Sequence, residues 1–474
     1  MIEEASTLSS PITKHVWHLV QMKTTRITII LTLILSLFFA ILAAQKNLPT
    51  IAMIGLCVWS LRSAEHAIQA LSLSVVIKFL NPVLYPQLGT ASLLGWVVLG
   101  ITGLRIAIAA FQTKTLRHPV LIWVLIFSLV ILVHSMMVSR QSMISSFKIL
   151  TFAFGAITVL LGYKITALRS VNWTSWFTAL WTAIMIISLP TLFDVSIGYK
   201  RNGMGFQGIF AHPQLFGLFL APAVGWFTAQ LLFYPIREAR LIVVVLTCVS
   251  WSFLLLTRTR TAAVAVLGGL ACVVVLTILT RREWRKQVSG ALLRPVILVA
   301  LFAVASAALL FSSSIEKGAG KFIFKYGRGA DASVTEAFSK SRGAGITSEW
   351  RNFLARPLVG HGFGISPSPS FESTQILDPF FGLPLSAPSE KGFMPTAILE
   401  ETGILGTLCL IPLLGSLIWL VSHRSDIATT WIFFTSILVN VGEMVFFSFG
   451  GIGLYTWLIM GWATSSQWRN PDET

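Results

Sequence analysis

Apolar runs recur along almost the whole chain, and their length is a stronger signal than any periodicity. They fall at about 27–44, 50–61, 67–84, 88–111, 119–138, 143–162, 173–193, 208–233, 240–256, 261–280, 295–313, 393–421, 428–448 and 451–464. Roughly 20 apolar residues cross a bilayer as a helix, and the pattern therefore predicts an all-α polytopic membrane protein with about 12–14 transmembrane helices. The runs at 50–61 and 451–464 are short for a span and suit tilted, re-entrant or partly buried elements. No internal repeat is evident in the pattern, which weakens an inverted-repeat transporter reading.

One break stands apart. Residues 314–392 carry no long apolar run, and connections beyond about 15 residues are usually functional or disordered. The stretch holds helical-looking pieces at Ser333–Ser341 and Ile346–Ala355, a Gly-rich turn, and a Pro/Ser-rich segment from Ile365 to Pro388. It is expected to fold partly against the helices as a lid. The chain then divides into a tail at 1–26, helices over 27–313, the loop 314–392, closing helices over 393–464 and a tail at 465–474.

Composition agrees with this division. Of 474 residues, 55% are hydrophobic and 11% charged, against about 25% charged in soluble domains, which excludes a soluble globule. The 35 basic and 19 acidic side chains give a net charge of +16. On a soluble protein that excess would suggest nucleic acid, but on a membrane protein Lys and Arg are retained on the cytoplasmic side. With the N-terminus inside, the inner segments hold Lys14, Lys23, Arg26, Arg62, Lys114, Arg117, Lys164, Arg169, Arg237, Arg240, Arg281, Arg282, Arg285, Lys286, Arg294, Arg424 and Arg469. The short outer loops hold Lys46, Arg140, Lys200, Arg201, Arg258 and Arg260. Both termini are thus expected in the cytoplasm, with 314–392 outside. No small-x-small site follows Ala40, so the first run is expected to be a signal anchor. Cys57, Cys248, Cys272 and Cys409 all lie inside apolar runs, far apart, and are expected to be small buried hydrophobes with no disulfide or metal role.

The outer cations depart from the charge rule and form two clusters, Tyr199-Lys200-Arg201-Asn202-Gly203 and Thr257-Arg258-Thr259-Arg260-Thr261. A helix-end arginine can simply snorkel, whereas at the bilayer centre it would cost roughly 2.5–3.5 kcal/mol. Two clusters at one face favour a ligand, because guanidinium forks suit bidentate phosphate contacts, with the threonine hydroxyls as extra donors. His212 precedes Pro213 at a helix start, and its reading is structural before it is catalytic. No Walker-type phosphate loop is present. In the long loop, Glu349-Trp350-Arg351-Asn352 begins a run that continues to Pro357-Leu358-Val359-Gly360-His361-Gly362-Phe363-Gly364, where alternating glycines permit a sharp turn. Farther on, Ser389-Glu390-Lys391-Gly392 precedes a helix carrying Glu400-Glu401-Thr402-Gly403-Ile404-Leu405-Gly406. Paired carboxylates in an apolar helix are expensive unless they face a wet cavity or a cation. The alternative to a functional role is an ion pair that locks the helix.

These pieces, in this order, resemble the O-antigen ligase and O-antigen polymerase superfamily of bacterial envelope glycan assembly, over roughly residues 190–450. The resemblance rests on Arg201 and the following glycines ahead of His212-Pro213-Gln214, on Thr259-Arg260-Thr261-Ala262, on Pro357 to Gly364, and on Glu400 to Gly406. It implies a glycosyltransferase similar to the C-type membrane fold, acting in the inner membrane with its active site toward the periplasm. Such an enzyme takes a glycan from an undecaprenyl-pyrophosphate carrier without nucleotide sugar, cofactor or essential metal. By the same resemblance Arg201 and Arg260 grip the pyrophosphate leaving group, with Lys200 and Arg258 assisting; His212, Lys391, Arg351 and Glu401 are further candidate contacts to pyrophosphate or glycan.

One departure matters. Ligases of the family commonly carry a His just before the Gly-Ile-Leu-Gly helix, and here that neighbourhood reads Pro388-Ser389-Glu390-Lys391-Gly392-Phe393. Glu390, with Lys391 beside it, or His361 is then the candidate base for the acceptor hydroxyl. The departure favours a polymerase of O-antigen or exopolysaccharide type, for which the resemblance implies a lipid-linked repeat as substrate and a chain-length regulator or flippase of the same pathway as a candidate partner, over a ligase to lipid A core. From another class, a lipid-linked oligosaccharide flippase or transporter would place charges within its helices. Only Lys78, Arg105 and Lys148 are basic at mid-span. A scaffold would leave the outer arginines dispensable.

Overall fold

The computed structural model describes residues 11–86, 88–169, 171–199, 205–234, 240–294, 343–365, 367 and 391–465. Its helices are α1 Pro11–Ala44, α2 Leu48–Ser60, α3 Ala64–Lys78, α4 Leu88–Thr113, α5 Leu121–Val138, α6 Ser142–Ala167, α7 Trp173–Ser188, α8 Val195–Gly198, α9 Pro213–Phe233, α10 Arg240–Leu256, α11 Arg260–Leu279, α12 Arg285–Leu292, α13 Ala344–Ala355, α14 Met394–Arg424, α15 Ile427–Leu438 and α16 Gly453–Ser465. Eight of the described helices are long and apolar enough to cross a membrane, the first over Thr25–Ala44. Helix α1 begins at Pro11, so the expected tail at 1–26 is in part an extension of the first span.

Burial separates two kinds of apolar surface. Leu33, Leu129, Val264 and Leu408 are exposed on the outer faces of α1, α5, α11 and α14. In water these stripes would be costly, and in hydrocarbon they are satisfied. Inside the bundle, large aromatics pack and find partners for their polar tips: Trp181 Nε1 donates to the Tyr455 hydroxyl at 2.6 Å, which donates to the Phe219 carbonyl at 2.9 Å. Trp431 Nε1 donates to the Val266 carbonyl at 2.8 Å. With no water in the bilayer core, such pairings offset the cost of burying a polar tip, whereas the buried Tyr163 hydroxyl and Trp96 Nε1 have no such partner among the described residues. The four cysteines are free but differ from expectation: Cys248 is exposed on the outer face and Cys57, Cys272 and Cys409 are half-buried. A thiol is apolar enough to face lipid, so an apolar run does not fix which side it takes.

Hydrogen bonds sort the connections into two ends. At one, the basic end, Lys164 Nζ donates to the Arg117 carbonyl, Gln287 Nε2 to the Phe233 carbonyl at 3.0 Å, Arg281 Nη2 to the Ser425 carbonyl at 3.1 Å, and Ser425 Oγ to the Ala463 carbonyl at 2.8 Å. At the other, Asn81 N donates to the Ile209 carbonyl at 2.8 Å and Phe206 N to the Leu256 carbonyl at 2.9 Å. Thr50 Oγ1 and the Tyr85 hydroxyl lie 2.9 Å apart at that same end. The shorter helices α2, α3, α10, α15 and α16 therefore run from one end to the other, as the long ones do. Lys78, expected at mid-span, is the last residue of α3 and reaches the second end.

Candidate functional site

The second end holds two assemblies. The first is the arginine turn between α10 and α11. Helix α10 stops because Arg258 takes φ of 55°, the left-handed position that ends many helices and that costs a non-glycine residue roughly 1–2 kcal/mol. Lys114 does the same after α4, with φ of 53°, so the conformation is a helix stop rather than a mark of function. Thr257 Oγ1 donates to the Leu254 carbonyl at 2.7 Å, Thr259 N donates to Thr257 Oγ1 at 3.2 Å, and Thr259 Oγ1 donates to the Pro213 carbonyl at 3.3 Å. Both threonines are buried. The expectation that their hydroxyls serve phosphate is therefore corrected: they hold the turn. Arg258 is exposed and Arg260 half-buried.

The turn is seated on small residues. A Cβ at Gly205 would come within 2.6 Å of the Thr257 carbonyl oxygen, and one at Gly217 within 2.4 Å of Thr259 Oγ1. Lys200 and Arg201 lie outside the described residues. They are bracketed by Tyr199 and Gly205, and the next residue, Phe206, bonds to Leu256 just ahead of Arg258. His212 caps α9, its Nδ1 accepting from the Gln214 amide at 3.1 Å, with Pro213 in the first turn. That is the structural role of P-x-x caps in which the first N–H is dispensable.

The second assembly joins the two glycine motifs, some 40 residues apart in sequence. At Gly403, φ is 63° and ψ −166°, and α14 is broken there. Segment 357–362 fills the break: His361 N donates to the Glu400 carbonyl at 2.9 Å, Gly362 N to the Glu401 carbonyl at 2.9 Å, Ile404 N to the Pro357 carbonyl at 2.9 Å and Leu405 N to the Leu358 carbonyl at 3.2 Å. Backbone groups freed by a helix break must find partners at membrane depth, and these four bonds supply them. The approach needs glycine on both sides. A Cβ at Gly360 would meet the Glu400 carbonyl oxygen at 2.6 Å, and one at Gly403 the Leu358 carbonyl oxygen at 2.3 Å.

Around this junction the charged groups are buried and paired. Lys391 Nζ lies 2.7 Å from Glu400 Oε2 and 3.2 Å from Glu401 Oε1, and donates to the Ile365 carbonyl at 3.1 Å. Glu401 Oε2 accepts the Gly364 amide at 2.7 Å, and Glu400 Oε1 accepts from Asn352 Nδ2 at 2.7 Å. Thr396 Oγ1 donates to Glu349 Oε2. Burial alone would lower the Lys391 pKa; Glu401 and Glu400 outweigh it and hold the ammonium above its ordinary value. Burial pushes the Glu349 carboxyl up, opposed by the Thr396 hydroxyl and Lys391 and reinforced by Glu400 and Glu401.

Lys391 thus spends its three donors on the junction. Both Lys391 and Glu401, expected as ligand contacts, are engaged with the junction in this structure. Glu390 lies outside the described residues. Arg351 is exposed on α13. His361 Nε2 is 2.9 Å from the Asn352 carbonyl, which can only accept, so Nε2 donates there and Nδ1 is the ring nitrogen left for another partner.

The two assemblies meet through the segment after α15. A Cβ at Gly442 would lie 2.3 Å from Thr261 Oγ1, and Met444 N donates to the Lys391 carbonyl at 2.9 Å. A single residue, Glu443, therefore separates a contact to the start of α11 from a contact to Lys391. The structure brings Arg258, Arg260, His212, His361, Lys391 and Glu401 to one end. Sequence reasoning missed Asn352 and Glu349 as clamp residues, for which Lys391 ten positions before Glu401 was the available signal. Among the described residues no group of three His, Cys, Asp or Glu is arranged to hold a metal ion. A scan against protein-family models finds no match, and a search of curated proteins finds none either.

Proposed function

We propose that this chain is an inner-membrane glycosyltransferase that polymerises undecaprenyl-pyrophosphate-linked oligosaccharide repeats, of O-antigen or exopolysaccharide type, at the periplasmic face. The observation that carries the reading is the arginine turn: Arg258 and Arg260 stand at one end of an apolar bundle, beside the segment that leads out of Lys200 and Arg201. The opposite end collects Arg281, Arg282, Arg285 and Lys286, which by the charge rule faces the cytoplasm.

The chemistry assigned to these residues follows from the bond that breaks. An acceptor hydroxyl attacks the anomeric carbon of the donor, the bond from that carbon to the pyrophosphate oxygen breaks, and negative charge grows on the departing lipid pyrophosphate. Arg201 and Arg260 stabilise that charge, with Arg258 and Lys200 as supports. The hydroxyl proton passes to Glu390 or to Nδ1 of His361. The runner-up reading, a ligase that delivers the finished glycan to lipid A core or another acceptor, uses the same donor grip. The lack of His between Pro388 and Phe393 favours the polymerase. The test is the ladder of polymer lengths in cells carrying Arg201→Ala or Arg260→Ala: each variant is expected to insert normally and to lose long-chain glycan, and a normal ladder from both would refute the pyrophosphate grip.

A further inference from the structure

Two lysines on apolar helices reach the glycine-turn end away from the arginine turn. Lys148 lies two turns into α6, on the same stripe as Phe152 and Gly155. Phe152 packs against Phe446, Phe447 and Phe449, with ring centroids 6.0, 5.1 and 5.8 Å apart. Lys148 itself lies against Gly364, where a Cβ would come within 2.4 Å of its Cδ, and its ammonium stands 5.1 Å from the centre of the Phe363 ring. Lys78 donates to the Gly450 carbonyl and stands 5.8 Å from the Trp96 ring, which meets Phe147 edge-on at 6.0 Å. The 447–450 segment therefore meets Lys78 at Gly450 and is linked to Lys148 at Phe447 through the Phe363 ring.

A lysine in an apolar helix is retained against a large desolvation cost and normally has a partner. Among the described residues, Lys148 Nζ has the Phe363 ring and neither a hydrogen-bond acceptor nor a carboxylate within ion-pair distance. It is half-buried. Glu401, whose carboxylate holds the amide of Gly364, already has Lys391 on its other oxygen. No counter-charge is supplied to this ammonium by the described residues, on the end where the charge rule disfavours cations.

We propose that Lys148, with Lys78 at the Gly450 end of the 447–450 segment, forms a second anion site that holds the pyrophosphate of the acceptor, a second lipid-linked glycan. This rests on the polymerase reading. Transfer from one carrier to a sugar on another brings two lipid pyrophosphates to the same end of the molecule. In the donor, the anomeric carbon–oxygen bond breaks and undecaprenyl pyrophosphate leaves with the electron pair. In the acceptor, a sugar hydroxyl forms the new bond and gives up its proton, and the sugar–pyrophosphate bond stays intact. The leaving pyrophosphate gains charge and suits guanidinium forks, whereas the acceptor pyrophosphate needs only to be held, for which a point charge suffices. Segment 442–447 lies between the two, touching Thr261 at Gly442 and Phe363 at Phe447.

The test is the number of undecaprenyl pyrophosphate molecules bound by the purified full chain, counted by native mass spectrometry. Two are expected for the wild type, one for Lys148→Gln, one for Arg260→Gln and none for the double variant. Should Lys148→Gln not fold, Lys148→Met, whose apolar stem fits the surroundings, reads the same site. Two lipids retained by the folded Lys148 variant overturn the proposal and leave the donor grip standing; two retained by Arg260→Gln, with one by Lys148→Gln, overturn the donor grip instead. Inorganic pyrophosphate is expected to displace the second lipid. Equal displacement by phosphatidylglycerol would reduce the site to a general anionic-lipid contact and also overturn the proposal.

Discussion

Lys391 holds two carboxylates that an apolar helix does not tolerate alone. Glu400 and Glu401 are almost fully buried, at 1% and 2% exposure, and removing the one cation between them leaves both uncompensated. Breaking a buried ion pair on one side costs about 3–5 kcal/mol. Lys391→Met is therefore expected to lower the thermal midpoint in detergent sharply at pH 7. A variant as stable as the wild type at pH 7 would contradict the clamp. The acidic pair was legible in the sequence as costly, with an ion pair as one of its two readings. What was not legible is that Lys391, just before the helix start, folds back to supply the cation. That contact depends on the break at Gly403 and on Gly364, neither of which spacing reveals.

At the scale of elements, the helix break and the glycine turn make one unit. Gly403 supplies the positive φ, and segment 357–362 supplies the four backbone partners. Gly403→Ala places a side chain in the left-handed region and a Cβ within 2.3 Å of the Leu358 carbonyl oxygen, so the turn must move away. The expected cost is about 1–3 kcal/mol, with new protease sensitivity between Ala344 and Ile365. An unchanged digestion pattern and midpoint would show that the junction does not need glycine. Both motifs stood out in the sequence for their glycines, and apolar runs located several of the described spans to within a few residues, as with 240–256 for α10 and 119–138 for α5, whereas α1 begins well ahead of its run, α15 ends well before the end of 428–448, and the run at 295–313 lies outside the described residues. Their mutual docking was hidden because hydrogen bonding between backbones leaves no trace in side-chain pattern.

Across the whole molecule, the decisive property is the separation of two chemically different ends. The basic end gathers the connections after α4, α9 and α11, and the glycine-turn end gathers the arginine turn, the clamp and Lys148. In a variant with Cys57, Cys248, Cys272 and Cys409 replaced, Arg140→Cys is expected to react with a membrane-impermeant maleimide on intact cells, and Arg282→Cys only after permeabilisation. The reverse pattern would put the arginine turn in the cytoplasm, away from a periplasmic carrier. Charge counting made this polarity legible, since topogenic cations act one by one. That the arginine turn and the clamp share one end was not legible in spacing, because Arg260 and His361 lie a hundred residues apart and the two assemblies are linked through the segment after α15.

Transfer from a lipid pyrophosphate, driven by arginine at that end, is the reaction proposed for this chain. The most direct measurement is polymer formation by the purified protein in proteoliposomes, supplied with an undecaprenyl-pyrophosphate-linked repeat and excess metal chelator, comparing wild type with Arg260→Ala. Wild type is expected to build a ladder in the presence of chelator, and Arg260→Ala to be slower by roughly 100-fold to 1,000-fold, the usual effect of removing one preorganised donor from a developing negative charge. A wild-type reaction abolished by the chelator, or an Arg260→Ala variant with full activity, would contradict the account.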